Sequence, residues 1–158
     1  MSAGDKDMIF STENEKDIIE NILFECRNDL YNKNISDEKL RELSEKFASK
    51  AEFMVIRDEN SGMDNMGYAS VYANDITDRI AWLSIIVVRK KYRGGGYGNY
   101  LLKSTIKTAR KNGMHKIRLE VAKTNLIAYE MYTKSGFEKI GDNDSNILME
   151  LKIRDDCL

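Results

Sequence analysis

Residues 94–98 read Gly-Gly-Gly-Tyr-Gly, and this turn with its flanks constrains the fold more than any other segment. Upstream, Ile80 to Val88 is nearly continuous apolar sequence, the pattern of a strand buried on both faces. Downstream, Tyr97 to Asn112 carries Leu101, Leu102, Ile106 and Ala109 at helical spacing, with Gly113 to end it. A buried strand that passes through glycines straight into a helix belongs to a layered α/β fold. Glycine supplies backbone angles forbidden to other residues and lets another group approach the main chain. The helix start adds amide N–H groups and the positive end of a dipole, which together bind phosphate. Arg89, Lys90, Lys91 and Arg93 crowd the same turn. A tight turn without a ligand is the alternative reading of the same glycines.

The remaining elements follow from periodicity. Glu13 to Tyr31 is expected as a helix, with Ile18, Ile19, Ile22, Leu23, Cys26 and Leu30 on its stripe and Thr12 with Glu15 as a capping box. Cys26 on that stripe reads as a core thiol. A second helix follows Ser36, its N-cap, with Leu40, Leu43 and Phe47 inward. Phe53 to Ile56 and Met66 to Ala73 form a hairpin around a polar turn containing Gly62. Lys116 to Val121 alternates strictly, Ile117, Leu119 and Val121 against Lys116, Arg118 and Glu120. Asn125 to Ser135 is a short helix stopped by Gly136, and Phe137 to Ile140 and Ile147 to Ile153 close the chain around the turn Gly141 to Asp144. The expected order is α-α-β-β-β-α-β-α-β-β. All 158 residues then form one domain, with residues 1–10 and 154–158 frayed and Cys157 an exposed, adventitious thiol.

Composition narrows the class. A 158-residue chain with 42% hydrophobic and 32% charged residues suits one soluble globular domain. No apolar run approaches the ~20 residues of a membrane span, and the N-terminus lacks the apolar stretch of a signal peptide. The expected compartment is the cytoplasm. Two widely separated cysteines and one histidine argue against a disulfide framework or a bound metal. His115 reads as a surface residue. From Arg89 to Arg118 the chain is basic throughout, so the rest is strongly acidic beneath a net charge of −1. A local anionic ligand and a solvated lysine-rich helix both fit this bias.

Two phosphate-binding patterns fail at the glycine turn. G-x-x-x-x-G-K-[ST] is absent because Leu102 precedes Lys103-Ser104, and G-x-G-x-x-G would need its third glycine at Asn99 or Leu101. R-x-x-G-x-G does fit, as Arg93-Gly94-Gly95-Gly96-Tyr97-Gly98. This resembles the pyrophosphate motif of the GNAT acetyltransferase superfamily. Leu119-Glu120-Val121 followed by Asn125, Ala128, Tyr132 and Gly136-Phe137 resembles the second half of the same family's pattern. The concatenation spans residues 80 to 140. Lys90 departs from it, since many members have proline there.

The resemblance implies a GNAT-like α/β domain, with a mixed, mostly antiparallel sheet, splayed central strands and flanking helices. It implies a bulge in the strand of Ile80 to Val88 and a gap between it and the strand of Lys116 to Val121. Acetyl-CoA would be the co-substrate, with no metal. Ile86, Val87 and Val88 would pair with its pantetheine arm, Arg93, Gly94, Gly95, Gly96, Tyr97, Gly98 and Asn99 would cradle the pyrophosphate, and Asn125 would contact the cofactor or simply cap its helix. Tyr132 would protonate the departing thiolate, a role that suits an ordinary pKa of ~10. Glu120 holds the family position of the base, or else pairs with a neighbour and orients water. A base matters most for a lysine-like amine, neutral in only about one molecule in 2,500 at pH 7.

The leading reading is direct transfer of acetyl to a primary amine, of a small molecule or of a protein N-terminus or lysine. Neither cysteine sits where a nucleophile would. A non-catalytic CoA-binding regulatory domain is the alternative. A nucleic-acid binder using the basic segment would show steep salt dependence, but only Tyr92, Tyr97 and Tyr100 interleave its charges. Nucleic acid and membrane are therefore not expected partners, whereas a homodimer accords with the superfamily. Trp82, Tyr68 and Tyr72 fit either the core or an acceptor cleft.

Overall fold

The computed structural model describes residues 7–153. Seven strands form one sheet in the order β1-β2-β3-β4-β5-β7-β6. They are β1 Met8–Glu13, β2 Glu52–Asp58, β3 Asp64–Tyr72, β4 Ile80–Val88, β5 Lys116–Ala122, β6 Glu138–Asp142 and β7 Asn146–Lys152. The helices are α1 Lys16–Glu25, α2 Asp37–Lys50, α3 Tyr97–Lys111 and α4 Leu126–Lys134. Every strand pair is antiparallel except β4–β5, so the mixed, mostly antiparallel α/β architecture is present.

Two apolar layers cover the sheet. On one face α1 and α2 bury Ile19, Leu23, Cys26, Leu40 and Phe47 against Phe53, Val55 and Tyr68. On the other, Leu101, Leu102 and Ala109 of α3 and Tyr132 of α4 pack with Ala81, Leu83, Ile117, Leu119 and Val121. Alternation along β5 decides its sidedness: Ile117, Leu119 and Val121 enter the α3/α4 layer, which leaves Lys116, Arg118 and Glu120 on the α1/α2 side. Among the described residues no helix is long and apolar enough to cross a membrane.

Several expectations are corrected. The chain opens with a strand, since Met8 to Glu13 pairs with β2 in register from Met8–Asp58 to Glu13–Phe53. Residues 8–10 are therefore not frayed, and Thr12 lies opposite Met54 instead of capping a helix. Helix α1 begins after Glu15, which makes no side-chain cap, and ends at Glu25. A 3-10 turn, Arg27–Asp29, carries Cys26 and Leu30 onward in the same apolar layer, which is why the stripe reads as one longer helix. The last hairpin turns at Asn143, whose side chain accepts from Ser145 and Asn146, so Gly141 and Asp142 belong to β6. Strand β4 is not buried on both faces: Trp82 and Ser84 are exposed. Ser36 does cap α2, accepting from the Lys39 amide at 3.1 Å. Residues 154–158, including Cys157, lie outside the described residues.

Candidate active site

The exposure of β4 has a cause in its pairing. Strands β4 and β5 bond only from Ile80–Lys116 to Trp82–Arg118, after which they part. On its other side β4 stays paired with β3 through Val88, but the register skips Ser84. This bulge flips the alternation: Ala81 and Leu83 face the α3/α4 layer, whereas Val87 beyond it faces α1 and α2. The splayed central strands and the bulge are thus both present. From Leu83 to Val88 the β5-facing edge of β4 has no strand partner among the described residues. Ile86, Val87 and Val88 lie along that edge, where main-chain polar groups need partners from elsewhere.

Gly67 sits opposite Val88, and a Cβ there would lie 2.3 Å from the Val87 carbonyl oxygen. Only glycine lets β3 approach β4 that closely. Sequence reasoning assigned Gly67 no role; an isolated glycine within a strand is the signal that marks it.

The glycine turn stands at the α3/α4 mouth of the gap. Gly94 and Gly96 have φ of +87° and +84°, conformations costly for any residue with a side chain. Gly96 caps α3, and the first helical bond runs from the Tyr100 amide to the Gly96 carbonyl at 3.0 Å. The helix's first amides, over Tyr97, Gly98 and Asn99, have no carbonyl four residues back within α3 to receive them. A Cβ on Gly98 would stand 3.3 Å from the Met131 sulfur, so this glycine lets α3 start close against α4.

The basic residues around the turn have structural duties. Arg89 pairs with Asp29 at 3.3 Å and Asp64 at 3.2 Å, and Lys91 pairs with Asp64 at 2.7 Å. The Tyr92 hydroxyl donates to Asp58 and Asp64. Arg93 donates from Nε to the Val88 carbonyl and from Nη2 to the Asp29 carbonyl, both at 2.9 Å. Arg93 therefore shapes the turn, its guanidinium committed to main-chain carbonyls. Lys90 uses its backbone N–H to donate to the Asp29 carboxylate at 2.9 Å. Asp29 thereby ties the 3-10 turn after α1 to the glycine turn. The next residues reach further, as Tyr31 hydrogen-bonds Thr124 in the loop between β5 and α4.

Asn125 caps α4, its side-chain oxygen accepting from the Ala128 amide at 3.3 Å, which leaves the amide NH2 for another partner. Tyr132, two turns on, is 8% exposed and packs edge-on to Phe137 at 5.7 Å. Burial pushes its phenol up to about 12. Among the described residues its hydroxyl has no hydrogen-bond partner.

Across the sheet, on the α2 side, lies a cleft of about 450 Å³ lined by Lys46, Lys50, Tyr72, Asn74, Trp82, Leu83, Ser84 and Glu120. Trp82, 39% exposed, and Tyr72 face each other across β3–β4 and form its floor. The Glu120 carboxylate accepts from Asn146 Nδ2 at 3.3 Å. Tyr68 is fully buried in the core, so two of the three aromatic residues in question line the cleft. Tyr132 and Glu120 thus lie on opposite sides of one opening through the sheet. His115 is exposed, as expected, and Cys26 is fully buried with its thiol pushed up to about 12 by burial.

The sequence profile of the Acetyltransferase (GNAT) family matches residues 17–137. The chain belongs to this family. A curated relative, the uncharacterized N-acetyltransferase YobR of Bacillus subtilis (strain 168), is 35% identical over 72 residues. That match spans 46% of this chain and 29% of the relative. Among solved structures, PH1933 from Pyrococcus horikoshii OT3 superposes with a TM-score of 0.76 at 21% identity, over 92% of this chain and 99% of that one. A GCN5-related N-acetyltransferase from Kribbella flavida gives 0.72 at 19%, over 93% and 98%. A mutant form of the spermidine/spermine N-acetyltransferase SpeG from Vibrio cholerae gives 0.70 at 18%, over 94% and 95%. These structures share the fold. The opening between β4 and β5 is the chain's candidate active site.

Proposed function

We propose that residues 7–153 act as one catalytic domain that transfers acetyl from acetyl-CoA directly to a primary amine. One observation carries this reading: the sheet is open between β4 and β5, with a glycine-rich helix start at one mouth and an aromatic cleft bearing Glu120 at the other. Two substrates entering from opposite faces would meet inside the opening without an enzyme-bound acyl group. Cys26, buried and with its pKa raised to about 12, is no nucleophile.

The parts divide the work. Amides from Gly94 to Asn99 hold the pyrophosphate at the start of α3, with Arg93 and Asp29 fixing the loop's shape. The free edge of β4 over Ile86, Val87 and Val88 pairs with the pantetheine amides like an added strand. A main-chain N–H beside the bulge at Ser84 donates to the thioester oxygen as negative charge develops on it. The Asn125 amide NH2 completes the cofactor contacts.

The amine reaches the opening from the cleft. Glu120 orients it, or a water that takes its proton, through the carboxylate held by Asn146. As the new C–N bond forms and the C–S bond breaks, Tyr132 donates a hydrogen bond to the departing sulfur. At a pKa of about 12, complete transfer to a thiolate near ~8.5 is uphill by about 3.5 units, or ~5 kcal/mol. Tyr132 therefore stabilises the thiolate by hydrogen bonding, and the amine's proton ends on the thiol.

Thiol release from acetyl-CoA across a panel of primary amines, with mass analysis of the products, tests this. Amine-dependent release with stoichiometric N-acetyl product is the expected result. Acetyl-CoA binding without release to any amine would favour the non-catalytic alternative.

A further inference from the structure

The acceptor's chemistry can be read from the cleft, on the basis of the transferase reading above. Lys46 and Lys50 lie one turn apart on α2 and so project from the same face. Lys46 Nζ stands 5.4 Å from the Tyr72 ring centroid, which holds it over the cleft floor. Among the described residues neither ammonium takes part in an ion pair. At the opposite rim, beside the opening, stands the carboxylate of Glu120. The lining therefore has two cations at the wall away from the reacting centre and one anion next to it.

A polyamine fits this poorly, because its second ammonium would lie beside Lys46 and Lys50. A molecule with an amine at one end and an anionic group at the other satisfies both ends. Trp82 and Tyr72 between them offer a flat surface for an apolar middle. A cleft of about 450 Å³ also suits a small molecule. We infer that the acceptor is a small amine that also carries a carboxylate or phosphate, and that Lys46 and Lys50 select it while its amine is directed to Glu120 and the opening.

Trp82 is the chain's single tryptophan and lies in this cleft, so its fluorescence reports occupancy without any need for turnover. The probes are matched pairs, 6-aminohexanoate against hexylamine and O-phosphoethanolamine against ethanolamine, beside spermidine and a short peptide with an acidic N-terminus. The anionic member of each pair should saturate the Trp82 signal at about tenfold lower concentration than its partner. Added salt should shrink that margin. The preference should vanish in K46Q/K50Q and persist in K46R/K50R, with an acetyl-CoA thermal shift verifying that each variant is folded.

Equal binding within both pairs, tighter binding of spermidine, a response to the peptide alone, or an undiminished preference in K46Q/K50Q would each overturn the inference. So would silence of Trp82 to every anionic probe. None of these results touches the transferase reading, which stands or falls on acetyl-CoA binding and thiol release. The carboxylate and phosphate pairs also show which anion the lysines prefer.

Discussion

Tyr132 and Cys26 are two buried acids with opposite uses. Each is kept protonated by burial, with its pKa raised to about 12, but only Tyr132 has a hydroxyl directed to a role in the reaction we propose. Removing that hydroxyl in Tyr132→Phe should lower kcat about 10- to 100-fold with little change in acetyl-CoA affinity, measured by single-turnover kinetics and calorimetry. Unchanged kcat would remove Tyr132 from the mechanism. The same burial makes stability depend on alkaline pH. A raised folded-state pKa contributes stability that is fully present below the unfolded value, about 9 for the thiol and 10 for the phenol, and lost as pH rises toward about 12. Tyr68, also pushed up by burial, adds to the effect. Denaturant midpoints should hold up to about pH 9 and fall steadily above it, and C26A should flatten the first part of that fall.

At the scale of elements, the bend of β4 is the feature that makes a site from a sheet. Ser84 is skipped in the pairing with β3, and Gly67 lets the two strands press together beyond it. In Gly67→Ala the added carbon would fall 2.3 Å from the Val87 carbonyl oxygen, so one strand must move. We expect a loss of about 1–3 kcal/mol of stability in urea unfolding, and weaker cofactor binding because the free edge of β4 shifts. A neutral Gly67→Ala would mean that β4 takes its course from the bulge alone. Much of this scale was legible in the residues: the glycine turn, the alternation of β5, Ser36 and Asn125 as caps. The bulge and the parting from β5 were expected from the family resemblance alone, because Ile-Ala-Trp-Leu-Ser-Ile-Ile-Val-Val reads by periodicity as a uniformly buried strand, and the pairing places the bulge at Ser84. Strand β1 escaped for a related reason. Its six residues gain stability from pairing with β2, and Thr12 with Glu15 offered a local helix signal that pairing overrode.

At the scale of the whole molecule, charge was the least legible property. The run of basic residues from Arg89 to Arg118 suggests an exposed positive stripe, but folding brings acids to it from distant segments. Asp29 and Asp64 meet Arg89, Asp64 meets Lys91, and Glu150 meets Lys116 and Arg118. The cleft's cations instead come from α2, which composition does not distinguish from any other polar helix. What the fold achieves is an opening through a seven-stranded sheet, with a glycine-rich helix start on one side and an aromatic cleft on the other. A thermal shift with CoA and acetyl-CoA, beside ATP and NAD, tests that account most directly. At about 100 times its Kd, a ligand for the opening stabilises the fold by ~2.7 kcal/mol, or roughly 5–11 °C for a chain of this size. A shift of that order with CoA and acetyl-CoA, and little or none with ATP and NAD, is the predicted result. No shift at saturating acetyl-CoA, or an equal shift with all four ligands, would contradict it.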